Sequence, residues 1–193
     1  MKLYACFFHK CTPDQQHENA HKLLSFALKK EYGIDKYTLK KGSHGKPYLK
    51  ENEYIKINLS HCNQLAVCAV GKCNAIGIDC ESLRTVRERV IKRVCTVQEK
   101  YEIEHSDNID LAFTRFWTLK ESFVKAIGIG VSYPMKNAAF SLHKDIIYTN
   151  IENALLRQWV IQDKYVISLC TKIDDQSIYD DIKLVFVSKN ILM

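Results

Sequence analysis

What this chain lacks narrows the reading before any motif does. Its eight cysteines, at 6, 11, 62, 68, 73, 80, 95 and 170 of 193 residues, contain no C-x-x-C pair. That spacing argues against a zinc site and against a small disulfide framework. Most of the thiols sit in apolar runs such as Ala66-Val67-Cys68-Ala69-Val70, where cysteine packs as a small hydrophobe. Reduced thiols in a cytoplasmic protein are therefore expected. Long hydrophobic runs are missing too. No stretch approaches the roughly 20 apolar residues of a membrane helix. The apolar opening at residues 1 to 8 is cut by His9-Lys10, short of the usual ~7 to 15 residues of a signal-peptide core. Blocks of like charge are also absent. Lys and Arg exceed Asp and Glu by 28 to 22, giving a net charge of +6. The bases are scattered and no nucleic-acid-reading motif accompanies them, so the balance points to acidic partners generally rather than to DNA or RNA.

The chain has apolar residues in quantity, 47% of the total, enough to bury a core for one domain or two small halves. Residues 2 to 8 read as a strand. Thr12-Pro13-Asp14-Gln15 reads as a helix start, with Thr12 as N-cap, Pro13 in the first turn and Gln15 closing a capping box. Ala20, Leu23, Leu24, Ala27 and Leu28 give that helix a buried face, and Gly33 ends it. Strands are expected over 54 to 59, 64 to 70 and 76 to 81, with a turn at 71 to 74. Helical patterns cover about 86 to 95 and 110 to 127. Strand-like runs follow near 138 to 142, 156 to 161, 164 to 170 and 182 to 187. Residues 55 to 70 and 156 to 170 echo each other as hairpins, which suggests two related α+β halves, at 1 to 75 and 76 to 193.

Two segments offer carboxylates in ordered settings. In Gly77-Ile78-Asp79-Cys80-Glu81 the acids alternate with Ile76, Ile78 and Cys80, so a strand places both carboxylates on one face and the apolar residues on the other. In residues 114 to 128, Phe116, Leu119, Phe123 and Ile127 recur at helical spacing, while Trp117, Glu121 and Lys125 follow at i, i+4 and i+8 along a different stripe. Three carboxylates and a lysine can converge if strand and helix meet. Carboxylates that converge repel one another unless a cation lies between them, and all-oxygen ligands suit magnesium, which favours phosphate chemistry. The plainer alternative is an exposed Glu121–Lys125 pair worth about 0.3 kcal/mol and the polar face of an edge strand.

The spelling of the segments adds to this. Gly77 to Glu81 resembles the G-I-D-x-E signature of the 4'-phosphopantetheinyl transferases. Trp117-Thr118-Leu119-Lys120-Glu121-Ser122-Phe123-Val124-Lys125 resembles their W-[ST]-x-K-E-[AS]-x-x-K signature. Gly45-Lys46-Pro47 is similar to the G-[KR]-P motif, and Ile57-Asn58-Leu59-Ser60-His61 to F-N-[IL]-S-H. The four motifs stand in family order over roughly residues 42 to 128. The resemblance implies an enzyme that moves the phosphopantetheine arm of coenzyme A to a serine of an apo acyl or peptidyl carrier protein and releases adenosine 3',5'-bisphosphate. Chain length and the internal echo match the larger type that serves peptide and polyketide synthases, a monomeric pseudodimer of two similar α+β halves with the active site between them.

Carried over residue by residue, the resemblance makes Asp79, Glu81 and Glu121 ligands of Mg2+. Lys125 becomes the lysine on the pyrophosphate, and Glu99 or Glu121 the base. Ser60, His61 and Lys46 are matched to coenzyme A contacts. A basic cluster that such enzymes carry ahead of the first helix is missing here, where Gln15-Gln16-His17-Glu18-Asn19 stands instead. Lys22, in His21-Lys22, replaces an arginine, and its single ammonium lacks the guanidinium fork for the 3'-phosphate. Two rival readings are a non-catalytic coenzyme A or carrier-protein binding module and a basic nucleic-acid binding domain. The first has no need of four catalytic-type side chains together, and the second leaves the acidic strand without a purpose.

Overall fold

The computed structural model describes residues 1–9, 12–144, 146–172 and 182–192, with Val131 described by its backbone alone. The chain opens with β1 (Lys2–Phe7) and α1 (Pro13–Tyr32), then a short hairpin of β2 (Leu39–Lys41) and β3 (Pro47–Leu49). A longer hairpin of β4 (Lys56–Cys62) and β5 (Leu65–Gly71) leads into β6 (Ala75–Ser82). Three helices follow, α2 (Glu88–Val94), α3 (Val97–Glu104) and α4 (Ile109–Ile127). Apart from short 3-10 turns at Gly130–Ser132, Met135–Asn137 and Lys189–Ile191, the elements that follow are strands: β7 (Phe140–His143), β8 (Ile146–Thr149), β9 (Ala154–Ile161), β10 (Tyr165–Lys172) and β11 (Leu184–Phe186). The fold is a mixed α/β one.

Two larger sheets organise it. The first runs in the order β11-β1-β5-β4 and the second β6-β10-β9, while β2-β3 and β7-β8 stand as separate ribbons. Every pairing is antiparallel except that of β11 with β1. The last described strand thus returns to the sheet in which the chain began.

Burial follows the period-2 pattern of the strands. Tyr4, Cys6, Ala66, Cys68 and Val70 turn one face of the first sheet towards Ala20, Leu23, Leu24, Ala27 and Leu28 of α1. Leu3, Ala5, Val67 and Ala69 turn the other face towards Ile76, Ile78, Cys80, Ile167 and Leu169 of the second sheet. On the far side of the second sheet, Cys170 and Leu156 pack under Phe116, Leu119 and Phe123 of α4. The order of layers is helix, sheet, sheet, helix, with three apolar cores between them.

The capping box at Thr12 and Gln15 forms as the sequence dictates, with Pro13 in the first turn and Gly33 at the C-cap. Helix α3 is less legible, since its apolar face amounts to little more than Ile103. It starts on a second capping box, formed by Thr96 and Glu99. All seven cysteines among the described residues are free thiols and six of them are buried; Cys11 lies outside the described residues. No helix among the described residues is long and apolar enough to cross a membrane.

Candidate active site

The site forms where α4 crosses β6, and a glycine permits the crossing. Gly77, Asp79 and Glu81 point to the α4 side of their strand, opposite the buried Ile76, Ile78 and Cys80. A Cβ on Gly77 would lie 2.0 Å from the Ser122 carbonyl oxygen and 2.3 Å from the Ala126 amide nitrogen. Only a glycine on the strand, facing small Ser122 and Ala126 on the helix, allows the two backbones this close. Helix and strand run in opposite senses, so Trp117 meets Glu81 while Lys125 meets Asp79.

Strand β4 completes the floor by side-chain bonds rather than a backbone ladder. The Ile78 amide donates to Asn58 Oδ1 at 2.8 Å and the Cys80 amide to Ser60 Oγ at 3.2 Å. Ser60 Oγ in turn donates to Asp79 Oδ1 at 2.9 Å. The Lys125 ammonium donates to the same oxygen at 2.6 Å and to Ser60 Oγ at 2.9 Å. Asp79 is 4% exposed, and its second oxygen, Oδ2, is buried with no hydrogen-bond partner among the described residues.

Electrostatics show what this arrangement costs the chain. Burial pushes the Glu81 carboxyl above its ordinary range, and the neighbouring Asp79 charge adds to the shift against Arg84, Trp117 and Lys125. Glu121 is raised by burial first, then by Asp79 and Glu81, with Lys125 opposing. Three acids therefore crowd one another. Lys125 is pulled down by burial, but Asp79, Cys80 and Glu121 outweigh that and hold it above the usual lysine value. It stays charged at any working pH.

An orphaned carboxylate oxygen beside two acids that resist ionisation is a donor set suited to a hard cation. No three His, Cys, Asp or Glu side chains among the described residues close on a point by themselves. Magnesium does not require that, since it takes one or two carboxylates and fills its shell with waters and phosphate oxygens. A cleft of about 290 Å³ opens beside these groups, lined among others by Lys46, Asn58, Leu59, Glu121, Lys125 and Gly130.

The other residues singled out by sequence lie as follows. Lys46 lines the cleft, but its ammonium donates to the carbonyls of Ile76 at 2.9 Å and Ala126 at 2.7 Å, tying the β2–β3 loop to both β6 and α4. Burial draws its pKa down to about 8. Gly128, left-handed at φ 74°, caps α4, and a Cβ there would meet Lys46 Cδ at 3.0 Å. Lys22 is on the surface of α1, paired with Glu18 at 3.0 Å. His61 stands at the end of β4 with Nδ1 buried and unpartnered among the described residues.

Glu99 is elsewhere. It is fully buried, as is Lys120, with which it forms an ion pair at 2.9 Å. Its Oε2 also accepts from the Thr96 amide at 2.7 Å, and its Oε1 from the Phe140 amide at 2.9 Å. Sequence reasoning missed Lys120 as its partner and Asn58 as the link between β4 and β6. Both stood inside quoted motifs, but a motif does not show which way a side chain turns.

The family model of the 4'-phosphopantetheinyl transferase superfamily matches residues 75–170, the segment that carries Asp79, Glu81, Glu121 and Lys125. The chain belongs to that superfamily. It is 29% identical over 177 residues to a 4'-phosphopantetheinyl transferase of Bacillus subtilis, which covers 83% of this chain and 78% of the relative. It is 27% identical over 146 residues to 4'-phosphopantetheinyl transferase Sfp of Bacillus subtilis (strain 168), covering 70% of this chain and 65% of that one. Among solved structures, holo-[acyl-carrier-protein] synthase of Thermotoga maritima overlays with a TM-score of 0.45 at 17% identity, covering 55% of this chain and 73% of that chain. The chain is a transferase of the larger, Sfp-like kind. Enzymes of this family move the phosphopantetheine arm of coenzyme A to a carrier protein.

Proposed function

We propose that this chain loads a serine of an apo acyl or peptidyl carrier protein in a magnesium-dependent reaction, through Asp79, Glu81, Glu121 and Lys125. The observation that carries the reading is the free, buried Oδ2 of Asp79 beside two acids of raised pKa, with one fixed ammonium, in a cleft large enough for phosphates.

The reaction joins the serine Oγ to the phosphorus on the pantetheine side of the pyrophosphate and breaks the bond from that phosphorus to the bridging oxygen. Adenosine 3',5'-bisphosphate leaves with the electron pair, and the serine proton goes to a base. Such transfers depend mainly on positioning and charge neutralisation. Asp79, Glu81 and Glu121 would hold the magnesium, which supplies positive charge for the phosphate oxygens. Lys125, anchored by Ser60 and Asp79, presents a permanent positive charge to the pyrophosphate. Its four-carbon stem lies along the cleft wall.

For the base, the geometry favours Glu121 over Glu99. Glu121 faces the cleft, and with its pKa raised by burial and by Asp79 it is a stronger proton acceptor than an ordinary carboxylate. Glu99 has both oxygens occupied and no exposure. Lys46 is better suited to fixing the cleft wall than to gripping a phosphate, because two carbonyls already take two of its three protons.

The two larger sheets, each with a helix on its outer face, support a pseudodimer of halves at 1–75 and 76–193 with the active site between them, β11 crossing back to the first half. The working unit on this reading is a cytoplasmic monomer that uses neither nucleic acid nor membrane. The test is intact-mass spectrometry of a panel of purified apo-carriers incubated with coenzyme A, magnesium and this protein. A gain of one phosphopantetheine on at least one carrier is expected; no gain on any of them would refute the reading.

A further inference from the structure

Strands β4 and β10 each set a serine beside Asp79. On one flank Ser60 gives its hydroxyl proton to Oδ1. On the other, Ser168 of β10 stands directly across from Asp79 in the antiparallel pairing, where paired side chains share a face with their Cβ atoms about 4.5 to 5.5 Å apart. A turn of the Ser168 side chain would bring its hydroxyl onto Oδ2, the oxygen left for the cation. Oδ2 nonetheless has no hydrogen-bond partner among the described residues.

Thr118 holds Ser168 away. The two hydroxyl oxygens lie 2.7 Å apart, and both side chains are fully buried. Thr118 Oγ1 has the Thr114 carbonyl at 3.0 Å and the Arg115 carbonyl at 3.1 Å, so its own proton returns to the backbone of α4. Ser168 Oγ already accepts from Gln158 Nε2 at 2.9 Å, and Thr118 Oγ1 is the acceptor that its proton reaches. Gln158 is fixed in turn, since its amide also donates to the Arg115 carbonyl at 3.0 Å and accepts from Arg115 Nε at 2.6 Å. Asp79, Ser168 and Gln158 thus form one polar row across β6, β10 and β9. On β10 and β9 the rows to either side are apolar, Cys170 with Leu156 and Val166 with Val160. Packing alone calls for a third apolar row, because a buried hydroxyl costs stability unless its partners are complete.

We propose that Thr118, the hydroxyl residue within Trp117-Thr118-Leu119-Lys120-Glu121, is a positioning residue that draws the Ser168 proton to α4 and so keeps Asp79 Oδ2 open for magnesium. The inference rests on the transferase reading for the identity of the metal. Thr118 touches neither substrate nor metal. It acts through Ser168 on a ligand, as the outer partners of metal-binding carboxylates do.

Calorimetric titration of Mg2+ into the whole chain at saturating coenzyme A, without carrier, tests this, with Tm measured alongside to show that each variant is folded. Thr118→Ser keeps the hydroxyl and should match the parent. Thr118→Val keeps the shape of the side chain but releases the Ser168 proton to Oδ2, and should raise the Mg2+ Kd by about fivefold, the net worth of one hydrogen bond. Ser168→Ala removes the competing donor and should stay within about twofold of the parent. Thr118→Val combined with Ser168→Ala should recover that affinity, although it has lost more of the row. A threonine that served packing alone would give the opposite order, with the double variant the weakest. Thr118→Ala, with and without Ser168→Ala, makes the same comparison if the valine variant does not fold. A parental Kd in Thr118→Val, or no recovery in the double variant, would overturn the proposal, and the transferase reading stands if the parent still loads carriers in magnesium. If the parent takes up no Mg2+ the proposal falls, and if it also loads no carrier the transferase reading falls with it.

Discussion

The Lys125 ammonium stands 2.6 Å from Asp79 Oδ1 and shares that oxygen with the Ser60 hydroxyl. One oxygen of the aspartate is thus neutralised by the chain itself, and the other is left for something the chain does not contain. Lys125→Ala should lower turnover by on the order of 10², the usual worth of one fixed electrostatic donor. Steady-state kinetics at saturating coenzyme A and carrier measure it. Parental turnover would reduce Lys125 to a neutraliser of Asp79.

Gly77 sets the distance at which that pair can meet. Gly77→Ala places a methyl group inside the backbone of α4, and overpacking of this kind costs about 1 to 3 kcal/mol or more. Thermal unfolding should show a lower Tm. Transfer should be lost with it, although no ligand or charge has been removed.

Glu99 and Lys120 separate a structural role from a catalytic one. Removing one partner of a buried ion pair costs about 3 to 5 kcal/mol. Glu99→Ala should therefore show a large fall in Tm, and the paired change Glu99→Gln with Lys120→Met a smaller one. A Glu99→Gln protein with parental Tm but no turnover would instead make Glu99 the base.

Clustered acids make the metal-free site a source of instability. Glu121 has a folded pKa above its ordinary one, so the folded state holds the proton more tightly. The favourable contribution is complete at low pH and is lost as pH rises through the raised value. In EDTA, Glu121→Gln should have a higher Tm than the parent at pH 8, and the gap should close near pH 4. Differential scanning fluorimetry across that range reads it, and a lower Tm for the variant at pH 8 would contradict the crowding argument.

Much of this site could be read from the sequence, because it depends on local periodicity. Alternation over 76 to 81 placed Asp79 and Glu81 on one face, and i, i+4 spacing put Trp117, Glu121 and Lys125 on one stripe. The helix that begins at Thr12-Pro13 showed its own caps. What was not legible depends on partners distant in the chain. Lys46 reads as a phosphate-seeking lysine in a turn, yet two of its three protons go to carbonyls 30 and 80 residues away. Glu99 reads as a solvated helix residue or a base, and only the packing of α3 against α4 buries it on Lys120. The hairpins β2–β3 and β7–β8 have three or four residues per strand, too few for a period to show.

The central claim is that Asp79, with its free oxygen, serves a metal-dependent transfer rather than the core. The most direct measurement is the rate of mass gain on an apo-carrier with the parent protein and with Asp79→Ala, each with magnesium and with EDTA, alongside the Tm of both proteins. The account predicts transfer only by the parent in magnesium, with Asp79→Ala folded and inactive under both conditions. Transfer by Asp79→Ala at the parental rate, or transfer by the parent unaffected by EDTA, would contradict it.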